Sequence, residues 1–154
     1  MLLASIDKLK KYYLDKLILD IYKFEIQEND KIGLVGANGA GKTTLIKTLI
    51  GDTDIDEGHV YLTNSYSYVS QNEDIKDLYI DNKIKSLLNA PNKFEDYLSG
   101  GEKVKLKIVN ALKEKKKLII ADEPTSNLDK ESIKILEKML KDHNGALLLV
   151  SHDR

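Results

Sequence analysis

The residue types best suited to chemistry lie in one short stretch between two apolar segments. The run from Gly36 to Thr43, Gly-Ala-Asn-Gly-Ala-Gly-Lys-Thr, matches the pattern G-x-x-x-x-G-K-[ST] without a mismatch. Glycines in this pattern let backbone N–H groups close around phosphate oxygens, while Lys42 reaches the β- and γ-phosphates and the Thr43 hydroxyl ligates Mg²⁺. A strand-like run, Ile32 to Val35, precedes it, and a helix-like run, Thr43 to Ile50, follows, as the motif requires. The sequence therefore predicts a nucleotide-binding site. The residues predicted to bind the nucleotide phosphates are Gly36, Asn38, Gly39, Ala40, Gly41, Lys42, Thr43 and Thr44.

Two adjacent carboxylates end a second apolar run, Leu118 to Ala121. Asp122 has the strand-end position from which a carboxylate holds Mg²⁺ opposite the loop threonine. Glu123, one residue later, is placed to face an attacking water and act as general base. Two solvated carboxylates at a strand end are the simpler alternative for this pair alone. Beside a phosphate loop, the catalytic interpretation is favoured.

Composition narrows the class of protein. The chain has 154 residues, enough for one domain with its own core. Its net charge is −1, so the overall charge does not favour nucleic-acid binding. It contains no cysteine, which excludes disulfides and thiolate chemistry and suits a reducing cytoplasm. No apolar run approaches the roughly 20 residues that span a bilayer. We therefore expect one cytoplasmic domain, 1–154, with no membrane span of its own and no direct DNA binding.

Strand and helix patterns alternate along most of the chain. Strands are predicted at Leu2–Ile6, Leu17–Asp20, Tyr22–Ile26, Lys31–Val35, His59–Leu62, Tyr66–Val69, Leu118–Ala121 and Ala146–Val150. Helices are predicted at Lys42–Ile50, Gly101–Lys115 and Lys130–Lys141. Antiparallel early strands followed by alternating strands and helices indicate an α/β fold with a mixed sheet. The weakly patterned region 73–100 is expected to be a small helical insertion. The last strand ends close to Arg154, and we expect the chain to be part of a longer protein.

Further motifs occur in the order used by ATP-binding-cassette (ABC) ATPases. Leu98-Ser99-Gly100-Gly101-Glu102 follows the insertion, the Asp122–Glu123 pair continues into Pro-Thr-Ser-Asn-Leu-Asp, and Ser151-His152-Asp153-Arg154 closes the chain. The Ser-Gly-Gly signature discriminates, because most other phosphate-loop enzymes lack it. The chain thus resembles an ABC nucleotide-binding domain. The resemblance implies a phosphate-loop NTPase fold of ABC type, with a mixed or parallel sheet core, an antiparallel β subdomain and a reduced helical subdomain.

The resemblance also implies residue roles around ATP and Mg²⁺. Tyr13 would stack on adenine, with Tyr12 as the alternative and simple strand packing as the competing explanation. Gln71 would contact Mg²⁺ or the attacking water, and His152 would hydrogen-bond the γ-phosphate and position that water. The implied catalytic residues are Glu123, His152 and Gln71, and the implied metal-binding residues are Thr43, Gln71 and Asp122.

Other implied roles concern a second domain. In this family the signature contacts the γ-phosphate held by the opposite domain, so each catalytic site is shared between two cassettes. The implied signature residues are Ser99, Gly100, Gly101 and Glu102. An ordinary serine-capped helix has the same local geometry without the ligand. Asp129 would lie in the loop that crosses the dimer interface and would also cap the following helix.

Three features resemble the ribosome-acting twin-cassette class called ABC-F. The interval between Gln71 and Leu98 is short, Glu102 stands where transporters usually have Gln, and Ser151 begins the usual switch sequence of that class. Lys10-Lys11-Tyr12-Tyr13 is most like the N-terminal cassette of its antibiotic-resistance branch. The chain departs from the family patterns at two positions. Asn127 is not followed by His, as it often is in housekeeping members of this class, and Leu14 stands where a glycine commonly follows the adenine-stacking tyrosine. The alternative is the energising subunit of a membrane transporter. A DNA-repair or chromosome-structure ATPase is disfavoured, because the interval between the phosphate loop and the signature is too short for the long helical arms of that class.

Overall fold

The computed structural model describes residues 1–70, 99–126 and 128–152. The elements in these ranges are β1 (Leu2–Tyr13), β2 (Lys16–Gln27), β3 (Lys31–Val35), α1 (Lys42–Ile50), β4 (Glu57–Leu62), β5 (Tyr66–Val69), α2 (Gly100–Lys113), β6 (Leu118–Asp122), α3 (Lys130–Lys141) and β7 (Ala146–Ser151). The predicted helical insertion, apart from its last two residues, lies outside the described residues. The same holds for Gln71, Leu98, Asn127, Asp153 and Arg154.

The described residues form two separate sheets. The first is antiparallel, with strand order β2-β1-β4, and the second is parallel, with order β3-β7-β6-β5. This arrangement confirms an α/β fold with a parallel core and an antiparallel β subdomain. The two strand directions, expected in one mixed sheet, are divided between the two sheets of the described residues. Every residue of β6 is buried, as expected for a strand of a parallel sheet that is covered on both faces.

The antiparallel sheet differs from the prediction in its strand lengths. β1 continues from the predicted Leu2–Ile6 to Tyr13, and the predicted strands Leu17–Asp20 and Tyr22–Ile26 form one strand, β2. Charged residues interrupt the apolar alternation in both strands, but the β1–β2 pairing continues across them. Lys10, for example, lies opposite Asp20. The extension matters because it places Tyr13 at the strand end.

Two apolar clusters cover the faces of the parallel sheet. On one face, Leu118 and Ile120 of β6 pack with α1 and with the antiparallel sheet. On the other face, Ile119 and Ala121 pack with α2 and α3. The alternation of β6 side chains therefore fixes α1 between the two sheets and holds α2 and α3 on the far side.

The parallel pairing brings the carboxyl ends of four strands to one edge of the sheet. The phosphate-loop motif follows β3, Asp122 ends β6, and His152 follows β7. Open α/β sheets bind ligands at this edge. None of the helices in the described ranges is both long and apolar enough to span a membrane.

Candidate nucleotide-binding site

The loop between β3 and α1 adopts backbone conformations that favour glycine. Gly39 and Gly41 have φ angles of +79° and +89°, in the region that L-residues with side chains rarely adopt. A Cβ atom on Gly41 would lie 3.1 Å from Leu19 Cδ2. Gly41 also precedes α1, and in the described part of the chain no side chain caps that helix end and no acidic residue occupies its first turn. The amide groups and the positive end of the helix dipole are therefore left for an anion.

The Lys42 ammonium group folds back onto the same loop. Its Nζ donates hydrogen bonds to the carbonyl oxygens of Gly36 at 2.6 Å and Ala37 at 2.9 Å. The loop is thus closed around a cation that lies within the glycine-rich turn, where a phosphate group would find both positive charge and backbone donors.

Thr43 and Asp122 form the next pair along the cleft. The Thr43 hydroxyl donates to Asp122 Oδ2 at 3.1 Å, which joins the start of α1 to the end of β6. Asp122 is only 8% exposed, and its Oδ1 finds no hydrogen-bond partner among the described residues. Burial raises the pKa of the Asp122 carboxyl, opposed by the Thr43 hydrogen bond. A buried carboxylate oxygen without a partner, beside a threonine hydroxyl, is a donor set that fits Mg²⁺.

Glu123 and His152 form a second pair at the same edge. Glu123 Oε2 lies 2.6 Å from His152 Nδ1. Glu123 has φ +52°, an uncommon conformation for a residue with a side chain. Its backbone is fixed on both sides, because its N–H donates to the Val150 carbonyl at 2.9 Å and its own carbonyl accepts from Ser126 Oγ at 2.7 Å. The carboxylate is therefore held beside the imidazole by a strained but anchored turn.

These residues line one open cleft of about 1040 Å³. The predicted site residues that line it are Tyr13, Asn38, Gly39, Gly41, Lys42, Thr43, Thr44, Asp122, Glu123 and His152. Tyr12 lines it too, so both tyrosine candidates remain in place, with Tyr13 73% exposed. Gly36 and Ala40 belong to the same loop without being part of the lining.

Sequence reasoning missed several residues of this cleft. Lys47, Asp52, Thr53 and Ser126 also line it. Lys47 lies one helical turn beyond Thr43 on α1, a spacing that could have signalled a shared helix face. The loop residues Asp52 and Thr53 carry no comparable pattern.

The signature residues and Asp129 lie outside the lining of this cleft. Ser99 caps α2: its Oγ accepts from the Glu102 N–H at 3.3 Å, and Glu102 Oε2 accepts from the Ser99 N–H at 2.8 Å. Gly100 and Gly101 form the first turn of that helix. Asp129 caps α3 as predicted, accepting from the Ser132 N–H at 2.9 Å and from its hydroxyl at 2.7 Å.

Asp129 is also connected to the helix that carries the signature. Lys105 on α2 donates from Nζ to the Ser132 hydroxyl, which in turn donates to the Asp129 carboxylate. The Ser132 N–H is the main cause of the lowered pKa of Asp129. This connection fixes the loop before α3 relative to α2.

The fold and the cleft together define a phosphate-loop nucleotide-binding domain. A family model described as ABC transporter matches residues 19–83 and 70–126. The chain belongs to the ATP-binding-cassette family of ATPases.

Similar proteins with curated names include members of the ABC-F group. The chain is 38% identical to the erythromycin resistance ATP-binding protein MsrA of Staphylococcus epidermidis, with 86% of this chain and 27% of MsrA covered. It is 32% identical to the ribosome protection protein VmlR of Bacillus subtilis, with 91% and 26% covered. It is 28% identical to the ATP-binding protein Uup of Escherichia coli, with 90% and 26% covered. The chain spans about a quarter of the length of these relatives.

Solved structures show the same fold. An ATP-binding subunit of an ABC transporter superposes with a TM-score of 0.80 at 21% identity, covering 97% of this chain and 79% of the other. The ADP conformation of MJ1267, an ATP-binding cassette of an ABC transporter, gives a TM-score of 0.75 at 20% identity, covering 100% and 82%. At these identities the likeness concerns the fold alone.

Proposed function

We propose that residues 1–154 form one ABC domain that binds ATP with Mg²⁺, hydrolyses it together with a second cassette, and serves an ABC-F protein acting on the ribosome. The observation that carries the proposal is the convergence of the phosphate loop, the Thr43–Asp122 pair and the Glu123–His152 pair in one cleft. Each part supplies a group that phosphoryl transfer to water requires.

Phosphate binding falls to the loop and Lys42. The ammonium group exchanges its hydrogen bonds to Gly36 and Ala37 for phosphate oxygens, and the amides at the start of α1 add donors. Thr43 and Asp122 are the residues that would hold Mg²⁺, which when bound neutralises charge on the phosphates. Tyr13, or Tyr12 beside it, is proposed to stack on the base, since both line the same cleft.

Water activation falls to Glu123. Its carboxylate is the base that accepts a proton from the attacking water, because it lies beside Asp122 at the phosphate end of the cleft. His152 contacts that carboxylate through Nδ1, and its imidazole is proposed to hydrogen-bond the γ-phosphate and position the water. Gln71, which follows β5 in the sequence, is proposed to contact the water or Mg²⁺.

A second cassette completes the site. Ser99 caps α2, and the next three residues form its first turn, outside the lining of the cleft. These four residues, Ser99, Gly100, Gly101 and Glu102, are proposed to contact the γ-phosphate held by a partner cassette. The fixed connection from α2 to Asp129 supports this, because it keeps the signature helix and the interface loop together. In the isolated 154-residue chain, turnover should therefore be weak and should rise more steeply than linearly with protein concentration.

The ribosomal role is supported by what the similar proteins are called. VmlR is a ribosome protection protein, and MsrA confers erythromycin resistance. The proposed partner is therefore a ribosome, with ATP binding closing two cassettes and hydrolysis releasing them. The alternative, an energising subunit of a membrane transporter, shares the ATP site but requires a membrane partner.

The decisive experiment uses the full-length protein that contains this sequence. Glu123→Gln, combined with the same change in the second cassette, should lower hydrolysis by about 10²- to 10⁴-fold while ATP remains bound. We expect this protein to sediment with ribosomes when ATP is present and to remain in solution without it. Glu131→Gln, an exposed carboxylate on α3, is the matched control and should leave hydrolysis unchanged.

Two results would contradict separate parts of the proposal. Unchanged hydrolysis in the Glu123→Gln protein would remove Glu123 as the base. Demonstrated ATP binding without ribosome sedimentation would refute the ribosomal role and favour the transporter alternative, which a membrane partner would then identify.

A further inference from the structure

A carboxylate outside the cleft holds the backbone of the tyrosine pair. Asp56 immediately precedes β4, and its Oδ2 accepts a hydrogen bond from the Tyr12 N–H at 2.7 Å. The Asp56 N–H donates in turn to the Lys10 carbonyl at 3.1 Å. Asp56 thus binds the end of β1 at two points, although it does not line the cleft itself.

The pairing of β1 explains why a side chain is needed at this position. The ladder between β1 and β4 ends at the pair Lys10–Glu57, so Tyr12 lies beyond it. On the other side of β1, pairing with β2 becomes irregular between Lys11 and Tyr12. The Asp56 carboxylate therefore supplies the acceptor that a strand neighbour would otherwise give to Tyr12.

Charge strengthens this contact. Lys11 Nζ lies 3.4 Å from the same Asp56 oxygen, and the Lys11 side chain is only 18% exposed. The Tyr12 N–H, followed by Lys11, lowers the pKa of Asp56 below its usual value. A hydrogen bond to an ionised acceptor is stronger than one between neutral groups. The ionised Asp56 carboxylate is thus well suited to accept the hydrogen bond from the Tyr12 N–H.

The segment that carries Asp56 begins at the phosphate-binding helix. The N–H groups of Asp52 and Thr53 donate to the Lys47 carbonyl of α1 at 2.8 and 3.2 Å. Asp56 lies a few residues further along the same segment, and both ends are therefore fixed. Its two attachments set the spacing between the phosphate loop and the tyrosines.

We infer that Asp56 is a positioning residue that fixes Tyr12 and Tyr13 for the nucleobase and thereby makes binding sensitive to the base. The inference rests on the proposed binding of ATP in this cleft. Asp56 touches neither base nor phosphate; it acts through the β1 backbone. Its loss should weaken the contribution of the base and leave the contribution of the phosphates intact.

The test compares ATP with inorganic tripolyphosphate, which has the phosphates without the base. Dissociation constants of both are measured by calorimetry on the 154-residue chain with Mg²⁺. Because Asp56→Ala should remove only part of the base–aromatic stacking contribution, it should weaken ATP binding by about 5- to 20-fold. Tripolyphosphate binding should stay within about two-fold, since the Lys42 and Thr43 contacts are unchanged.

Two further variants distinguish positioning from general stability. Asp56→Asn keeps an oxygen for the Tyr12 N–H and should recover most of the ATP affinity even if Asp56→Ala is poorly folded. Asp54→Ala, an exposed aspartate of the same segment that does not line the cleft, should leave both affinities unchanged. Asp56→Ala is also combined with Tyr13→Ala and, separately, with Tyr12→Ala. For the tyrosine that stacks on the base, the double variant should lose less ATP affinity than the sum of the two single losses, because both changes remove the same stacking contact.

Each result bears on a different claim. Equal losses for ATP and tripolyphosphate, or no loss for either, would overturn the positioning role while ATP binding by the cleft stood. A wild-type chain that bound neither molecule would overturn the proposed nucleotide site and this inference with it.

Discussion

Replacing Asp122 with asparagine should make the nucleotide-free chain more stable and at the same time remove its response to Mg²⁺. The carboxylate is 8% exposed, one of its oxygens has no partner among the described residues, and burial raises its pKa. A raised pKa means that the folded state disfavours the ionised form. Asparagine has nearly the same shape and no charge, so this unfavourable contribution disappears.

Two opposing effects set the size of the change. Removing the buried charge should gain about 2 kcal/mol, with an unpaired amide NH2 left where the unpaired Oδ1 lies. The Thr43 hydroxyl then donates to a neutral amide oxygen instead of a carboxylate, which should cost about 1 kcal/mol. We therefore expect the free energy of unfolding to rise by about 1 kcal/mol in Asp122→Asn.

The assay is urea unfolding of both proteins across a pH series, without nucleotide. Because the pKa of Asp122 is higher in the folded state than in the unfolded state, the wild type takes up a proton on folding as the pH falls. Protonation neutralises the carboxyl, so the difference between the two proteins should shrink in acid. Asp52→Asn, an exposed carboxylate of the same cleft, is the control and should change stability little.

Nucleotide binding supplies the second measurement. ATP affinity of the wild type should rise with Mg²⁺, whereas that of Asp122→Asn should be nearly independent of the ion. A variant less stable than the wild type at neutral pH would refute the electrostatic reasoning. Retained dependence on Mg²⁺ would refute the assignment of Asp122 as an ion ligand.

Further predictions concern the loop, the signature helix and a histidine distant from the cleft. Gly41→Ala should lower the free energy of unfolding by about 1–2 kcal/mol in urea, because φ is +89° and the new Cβ approaches Leu19; an unchanged midpoint would contradict this. Ser99→Ala should lose about 1 kcal/mol of capping energy, whereas Ser99→Asp should keep the cap and lose ATP turnover, so retained turnover in Ser99→Asp would count against the signature role. Burial, with the nearby Lys31 charge, lowers the pKa of His143 below 6.5 in the folded state, so stability from this group is present above pH 6.5 and is lost as the pH falls through the folded-state pKa. His143→Gln should therefore reduce the loss of thermal stability below pH 6.5. If the melting temperature changed with pH in the same way in both proteins, His143 would not be the group responsible.

The elements predicted most accurately are those whose local pattern agrees with their burial. The bounds of β3, β5, α1 and α3 are as predicted, because apolar periodicity and the cap at Asp129 coincide there with packing. β1 was predicted too short, because no local pattern reveals a strand that continues through charged residues; its partners on β2 and β4 determine it.

The site shows the same division between local and long-range information. The phosphate loop could be predicted because a single continuous motif contains both the glycines and Lys42. Asp56 could not, since its role depends on Tyr12, which is distant in sequence and reaches it only through the pairing of β1 with β4. The Lys105–Ser132–Asp129 connection was missed for the same reason: it joins two helices that only the tertiary fold brings together.

The position of the Lys42 ammonium group affects which anions can bind to the loop. An anion that takes over the two N–H groups donating to Gly36 and Ala37 has to compete with those carbonyl oxygens. A chloride ion is a single acceptor, whereas a nucleoside triphosphate has oxygens that can accept along the whole loop and a base that can stack elsewhere. The two loop carbonyls therefore compete internally for the ammonium group, and we expect a chain of phosphates to displace them more readily than a single chloride ion does.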